Sequence, residues 1–86
     1  MYVILVYDIG EKRVGKMLKL CRKYLMWIQN SVFEGEISEV KLKELIMRAK
    51  TFMNPDDSII LFKHASKVNL DKEIIGREVC SIDTIL

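Results

Sequence analysis

A short apolar run near the start of the chain ends abruptly at a carboxylate. Residues 2–7 are all aliphatic or aromatic, and Asp8 follows them directly. A continuous run of β-branched and aromatic residues is typical of a strand that is buried on both faces. Beyond Gly10 the apolar residues recur with helical spacing instead. The pattern therefore predicts a β-strand that leads into an α-helix, with a carboxylate near their junction.

The predicted first helix spans residues 11–25 and has two different faces. Its apolar residues follow the i, i+3, i+4 and i+7 spacing of a helix that packs one face on a core. They are Val14, Met17, Leu18, Cys21, Tyr24 and Leu25. The opposite face carries Lys12, Lys16, Lys19 and Lys23. With Arg13 and Arg22, this helix holds six of the chain's 14 Lys and Arg residues, and Glu11 is the only acidic residue beside them.

This cationic face permits two interpretations. A solvated helix surface is the commoner fate of such residues. A polyanion such as nucleic acid is the other interpretation, because a concentration of charge on one face attracts phosphates even where the net charge is only +2. The scarcity of acidic residues that could pair with the lysines favours the polyanion.

The middle of the chain predicts a second strand and a second helix. Residues 27–34 are rich in β-branched and aromatic side chains and predict a strand that ends at Gly35. Ser38 is a good N-cap for the helix that follows, with Glu39 in its first turn. The core face of that helix consists of Leu42, Leu45, Ile46, Ala49, Phe52 and Met53.

The last third of the chain predicts short extended segments. Residues 54–57 form a turn, and residues 58–63 predict a third strand. Residues 73–77 are a candidate fourth strand, and residues 83–86 are another short extended segment. No clear hairpin precedes the second helix, so we expect a tail strand to complete or bridge the sheet.

These elements predict one α+β domain over residues 1–86. A ferredoxin-like βαββαβ arrangement, with an antiparallel sheet and two helices on one face, accommodates them best. A chain of 86 residues is too short for two domains. Because a domain of this size leaves much of its surface exposed, we also expect it to dimerise.

Several classes of protein are excluded by the pattern. No run approaches the roughly 18 apolar residues of a membrane span, and no secretory leader is recognisable, so we expect a soluble, cytoplasmic protein without a membrane partner. Cys21 and Cys80 are far apart and do not have the spacing of metal ligands. Cys21 lies on the apolar side of its helix and is predicted to be a buried free thiol.

Asp8 has two possible roles. Asp8 and Glu11 have the spacing of a capping box, in which Asp8 would cap the first helix. Alternatively, Asp8 is a ligand of Mg²⁺, which prefers carboxylate and water oxygens. One carboxylate is a minimal site, but a homodimer with its two-fold axis near the end of the first strand would bring in a second Asp8. A cation would relieve the repulsion between the two.

The polar residues of the second predicted strand are weaker candidates. Ser31 has no general base, because His64 is the only histidine and follows a different strand. We expect Ser31 to donate a hydrogen bond to a phosphate or to the backbone, and His64 to be a loop residue. Trp27 and Phe33 are most simply core or interface residues.

Together, three segments resemble the CRISPR-associated protein 2 family. They are residues 2–9, YVILVYDI, the basic helix that ends in Lys23-Tyr24, and residues 28–36, IQNSVFEGE. Ile75-Gly76 is similar to a late strand of that family. The resemblance implies a ferredoxin-like fold and a homodimer whose C-terminal strand pairs with the partner's sheet. It also implies a Mg²⁺-dependent endonuclease acting on single-stranded RNA or duplex DNA, or an adaptor that joins CRISPR integrase subunits and holds duplex DNA during spacer acquisition.

The resemblance also implies roles for individual residues. Asp8 would be the metal ligand and catalytic aspartate, contributed by both subunits, and Ser31 would lie in the catalytic site. The nucleic-acid-binding residues would be Lys12, Arg13, Lys16, Lys19 and Phe33. Trp27 stands where many relatives carry an arginine, which favours DNA binding over cleavage. A third interpretation, a regulatory domain that binds a metabolite, lacks a glycine-rich ligand loop.

Overall fold

The described part of the chain forms one antiparallel sheet with two helices packed on one face. The computed structural model describes residues 1–65 and 73–76. The elements in chain order are β1 (Tyr2–Asp8), α1 (Glu11–Arg22), β2 (Met26–Gln29), β3 (Val32–Glu36), α2 (Glu39–Lys50) and β4 (Ser58–His64). The four strands lie in the order β2-β3-β1-β4, and each neighbouring pair is antiparallel. This confirms the predicted α+β, ferredoxin-like arrangement.

The alternation of side chains along β1 defines the two faces of the sheet. Val3, Leu5 and Tyr7 are buried in the core, where they meet the apolar sides of both helices. Ile4, Val6 and Asp8 point to the other face, because successive residues of a strand alternate. Directly opposed residues on antiparallel strands share a face. The open face therefore also carries Met26, Val32, Ile60 and Phe62.

Residues 27–34 form a hairpin and not the single strand predicted from the sequence. Asn30 and Ser31 separate β2 from β3, and Gln29 pairs with Val32 across them. Asn30 has φ 44°, in the left-handed region that asparagine tolerates better than most residues. The Trp27 indole Nε1–H donates to the Asn30 carbonyl at 3.0 Å, which stabilises the turn.

This hairpin adds the strand that was expected to come from the C-terminal part of the chain. Residues 73–76 do not form the predicted fourth strand. Arg77 and residues 83–86 lie outside the described residues, as does Cys80.

The helices pack largely as predicted. Met17, Leu20 and Cys21 of α1 and Leu42, Leu45 and Ala49 of α2 are buried against the sheet. Ser38 caps α2 by accepting a hydrogen bond from the Lys41 backbone N–H at 3.1 Å. α1 ends at Arg22, earlier than predicted, and Val14 is 38% exposed although it was assigned to the core.

Cys21 is a free cysteine in the core, as predicted. Burial raises the pKa of its thiol to about 12, which keeps the sulfur protonated and unreactive. In the described part of the chain, no helix has the length and apolar character needed to cross a membrane.

Candidate metal and nucleic-acid sites

Asp8 is the last residue of β1, and its side chain is exposed on the open face of the sheet. The capping box predicted for it is wrong. The N-cap of α1 is Gly10, no side chain caps it, and the helix begins only at Glu11. The Asp8 carboxylate therefore does not accept a hydrogen bond from the first turn of α1, and it is exposed to solvent at the end of β1.

Ser58, the first residue of β4, lies directly opposite Asp8. Both side chains are exposed and share the open face, with Cβ atoms expected about 5 Å apart in such a pair. A carboxylate and a hydroxyl can thus reach the same ligand. Ser58 was not predicted from the sequence, because its position opposite Asp8 depends on the register between β1 and β4.

Ser31 lies at the same end of the sheet but in the β2–β3 turn. Its backbone carbonyl accepts a hydrogen bond from the N–H of Tyr7, the residue before Asp8, at 3.1 Å. Its side chain is partly exposed. Ser31 is therefore near the Asp8 end of β1, as the resemblance implied.

His64 is distant from this end of the sheet. It pairs with Tyr2, at the start of β1, whereas Asp8 ends the strand about 20 Å away. It is the last residue of β4, so the prediction of a loop histidine is wrong. His64 is therefore not placed to activate Ser31.

Phe33 is fully buried and does not present a surface to nucleic acid. Its ring packs on Tyr7 with a centroid distance of 6.1 Å, on the helix side of the sheet. This burial corrects the assignment of Phe33 to the nucleic-acid interface. Phe33 instead packs in the hydrophobic core between the sheet and the helices.

The Arg13 side chain is only partly exposed, and its guanidinium is paired within the chain. Its Nε donates to Asp57 Oδ2 and its Nη2 to Asp57 Oδ1, each at 2.9 Å. The Asn54 side-chain oxygen, when turned toward the guanidinium, accepts from Arg13 Nη1 at 3.0 Å. Because these groups occupy the guanidinium, Arg13 is a structural residue and not the phosphate-binding residue that the resemblance implied.

Asp57 is the centre of this cluster. Its side chain is only 3% exposed, and it also accepts hydrogen bonds from the backbone N–H groups of Gly10 at 2.9 Å and Asn54 at 2.8 Å. The hydrogen bond from Arg13, followed by that from Asn54, holds the pKa of Asp57 well below its ordinary value, although burial acts in the opposite direction. From the sequence, Asp57 was predicted only to lie in a turn.

The lysine face of α1, defined as Lys12, Lys16, Lys19 and Lys23, is exposed as predicted. Three of these lysines border a groove of about 490 Å³ between α1 and α2, together with Arg48 and an apolar floor of Leu20 and Phe52. The Lys16 ammonium lies 5.1 Å from the centre of the Phe52 ring. In the described part of the chain, the groove lining contains no carboxylate.

The lysine face and Asp8 lie on opposite sides of the sheet. α1 packs its apolar side on the helix-covered face, so its lysines point away from the sheet. Asp8 projects from the open face. A nucleic acid bound along the whole lysine face would therefore not lie across the Asp8 carboxylate of the same chain.

The donor atoms near Asp8 fit a weakly held Mg²⁺ ion. Within residues 1–65 and 73–76, no group of three or more His, Cys, Asp and Glu side chains could hold a metal. Mg²⁺ does not require such a cage, because it keeps several waters and uses one or two carboxylates together with substrate phosphates. One Asp8 per chain, with a second from another chain, would meet that requirement.

Comparison with known proteins identifies the family. The family described as CRISPR associated protein Cas2 matches residues 1–71. The chain belongs to the Cas2 family. It is 41% identical over 87 residues to the CRISPR-associated endoribonuclease Cas2 of Dictyoglomus turgidum, with 100% of each chain covered. It is 44% identical over 79 residues to the protein of the same name from Thermotoga maritima, with 91% of each covered.

Solved Cas2 structures share the fold. A structure described as the crystal structure of cas2 superimposes with a TM-score of 0.87 at 45% identity, covering 95% of this chain and 93% of the other. Streptococcus pyogenes Cas2 at pH 6.5 superimposes with a TM-score of 0.78 at 26% identity, covering 88% and 100%. These matches confirm the resemblance found in the sequence.

Proposed function

We propose that two copies of this chain form a dimer that hydrolyses phosphodiester bonds with Mg²⁺ bound between their Asp8 residues. The observation that carries this proposal is the position of Asp8, exposed at the end of β1 and not used to cap α1. The names of the relatives, CRISPR-associated endoribonucleases, favour RNA as the substrate. We place this activity in CRISPR adaptation, in the cytoplasm.

The open face of the sheet supports the dimer. Ile60 is 53% and Phe62 58% exposed on this face, and Ile4, Val6 and Val32 are only partly covered. Burying apolar surface of this kind favours association, because it removes that surface from water. A second copy that covers the face about a two-fold axis near the end of β1 would bring the two Asp8 carboxylates together.

The residues of the site would divide the work. When bound, Mg²⁺ would supply a Lewis acid for the phosphate and a water of lowered pKa. The paired Asp8 carboxylates would provide its protein ligands, and the Ser58 hydroxyl would donate a hydrogen bond to a phosphate oxygen. Ser31 would do the same from the β2–β3 turn. Lys12, in the first turn of α1, would bind the nucleic-acid backbone nearest this site.

A non-catalytic adaptor is the second candidate function. It is favoured by the separation of the lysine face from Asp8, because Lys16, Lys19 and Lys23 would hold a duplex on the helix side of the sheet. In this role the dimer would bridge CRISPR integrase subunits and present DNA to them during spacer acquisition. Asp8 would then contribute nothing to the chemistry.

Cleavage assays distinguish the two functions. Labelled RNA and duplex DNA are incubated with wild-type protein or Asp8→Asn, in Mg²⁺ or in EDTA, and binding is measured over a range of salt concentrations. Metal-dependent cleavage that Asp8→Asn loses supports the nuclease. If neither protein cleaves but both bind duplex DNA with a steep salt dependence, the adaptor is supported and the nuclease proposal fails.

A further inference from the structure

The loop between α2 and β4 holds the segment of chain that follows Asp8. Through Asp57 this loop binds the Gly10 N–H, two residues beyond Asp8, and the Arg13 guanidinium, in the first turn of α1. The next residue, Ser58, pairs with Asp8 in the β1–β4 ladder. Two adjacent residues, Asp57 and Ser58, therefore hold both the end of β1 and the segment that follows it.

We propose that Asp57 is a positioning residue for the Asp8 site, acting through Gly10 and Arg13. The carboxylate fixes the direction in which the chain leaves β1, and so fixes where the Asp8 side chain projects. This inference rests on the proposed nuclease function. It assigns a role to a residue that does not itself contact metal or substrate.

The geometry of the cluster indicates that Asp57 holds its neighbours rigidly in place. The buried Asp57 carboxylate accepts bonds from three different residues, so its position is over-determined. Charge-assisted hydrogen bonds of this kind are roughly twice as strong as neutral ones. The negative charge also lies beside the first turn of α1, where the helix dipole stabilises an anion.

Gly10, whose N–H donates to Asp57, has no room for a side chain while Arg13 is paired with Asp57. A Cβ atom added at Gly10 would lie 2.5 Å from Arg13 Nη2. Any larger residue would push the guanidinium away from Asp57. Because position 10 has no side chain, the Arg13 guanidinium can lie against the segment that follows Asp8 and pair with Asp57.

The experiment compares Asp57→Asn with a matched control elsewhere on the helical side. The amide that replaces the Asp57 carboxylate keeps the shape of the side chain but cannot satisfy all of its donors, and Arg13→Gln removes the same ion pair from the other side. The control, Tyr24→Phe, removes a hydroxyl that donates to Glu44 at 2.6 Å and accepts from Arg48 at 2.8 Å, beyond the opposite end of α1. Fold and global stability are measured for every variant by urea unfolding.

Three quantities are measured on RNA cleavage: kcat, KM and the Mg²⁺ concentration that gives half-maximal rate. For Asp57→Asn and Arg13→Gln we expect kcat to fall by about ten- to a hundredfold and the half-maximal Mg²⁺ concentration to rise, because small misplacements of a catalytic group have effects of this size. KM for RNA should stay near the wild-type value, since Lys12, the residue proposed to bind the nucleic-acid backbone nearest the site, is unchanged. Tyr24→Phe should leave all three quantities nearly unchanged.

An equal loss of kcat in Tyr24→Phe, or losses that follow global stability alone, would overturn the positioning role while leaving the nuclease proposal intact.

If the wild-type protein does not cleave, the nuclease proposal fails, and Mn²⁺-induced broadening of the Asp8 NMR signals decides the inference. Weaker broadening in Asp57→Asn and Arg13→Gln than in Tyr24→Phe supports it. Equal broadening, or no Mn²⁺ binding by any protein, overturns it.

Discussion

Asp8 and Ser58 face each other across the end of β1 and the start of β4, on the side of the sheet opposite α1 and α2. This pairing places a hydroxyl beside the proposed metal ligand, and it predicts a contribution of Ser58 to cleavage. Ser58→Ala should lower the rate of RNA cleavage by about tenfold, the effect of losing one hydrogen bond to a charged group. Ser58→Thr keeps the hydroxyl and should retain most of the activity. Equal rates in Ser58→Ala and the wild type would remove Ser58 from the site.

The lysine face predicts a salt-dependent contribution to nucleic-acid binding. The double variant Lys19→Gln/Lys23→Gln should weaken duplex binding and reduce the slope of log affinity against log salt by about one for each lost phosphate contact. Fluorescence anisotropy at several salt concentrations measures this slope. The matched control is Lys43→Gln/Lys50→Gln on α2, which should leave the slope unchanged. A slope that falls equally in both double variants would mean that the lysine face has no special role.

Asp57 predicts a specific dependence of stability on acid. Arg13 holds the pKa of Asp57 below its ordinary value in the folded protein, so the unfolded chain takes up this proton first as the pH falls. The contribution of Asp57 to stability is therefore present above about pH 4 and is lost progressively below it.

Urea unfolding of Asp57→Asn at a series of pH values tests this prediction. The variant should be less stable than the wild type near neutral pH, and its free energy of unfolding should fall less steeply between about pH 4 and pH 2. Asp56→Asn changes the exposed neighbouring carboxylate and should keep the wild-type slope. Parallel pH profiles for Asp57→Asn and the wild type would show that the ion pair does not contribute.

The open face predicts that the chain dimerises through its sheet. Phe62→Glu puts a charge on the edge strand β4, directly opposite Ile4 in the apolar part of this face, where burial without a partner is costly. Sedimentation should then show a monomer where the wild type is a dimer, with loss of cleavage. Val40→Glu is the control, because Val40 is 75% exposed on α2, on the other side of the molecule. A Phe62→Glu protein that remains dimeric would place the interface elsewhere.

The elements that the sequence predicted well are those with long, regular patterns. The apolar run before Asp8, the alternating faces of α1 and the Ser38 cap of α2 each depend on neighbouring residues, and the structure contains all three. The β2–β3 hairpin was missed because its turn is Asn30-Ser31, without the glycine that usually marks a two-residue turn. A left-handed asparagine serves in its place.

The candidate site was predicted less completely because its contacts join distant parts of the chain. Arg13 looks like any other cation of an amphipathic helix, and its partner Asp57 lies 44 positions away. Ser58 becomes a neighbour of Asp8 only through the register of β1 with β4. Phe33 shows the reverse case, since its position in a recognisable motif does not reveal that it points into the core.

Mixed dimers test most directly whether the two Asp8 residues form one site. Wild-type and Asp8→Asn subunits carrying different affinity tags are co-expressed, and dimers with one subunit of each kind are purified and assayed for Mg²⁺-dependent RNA cleavage. A shared site predicts that these dimers lose nearly all activity, because each Mg²⁺ requires both carboxylates. Activity near half that of the wild-type dimer would show that each Asp8 acts alone and would contradict the account.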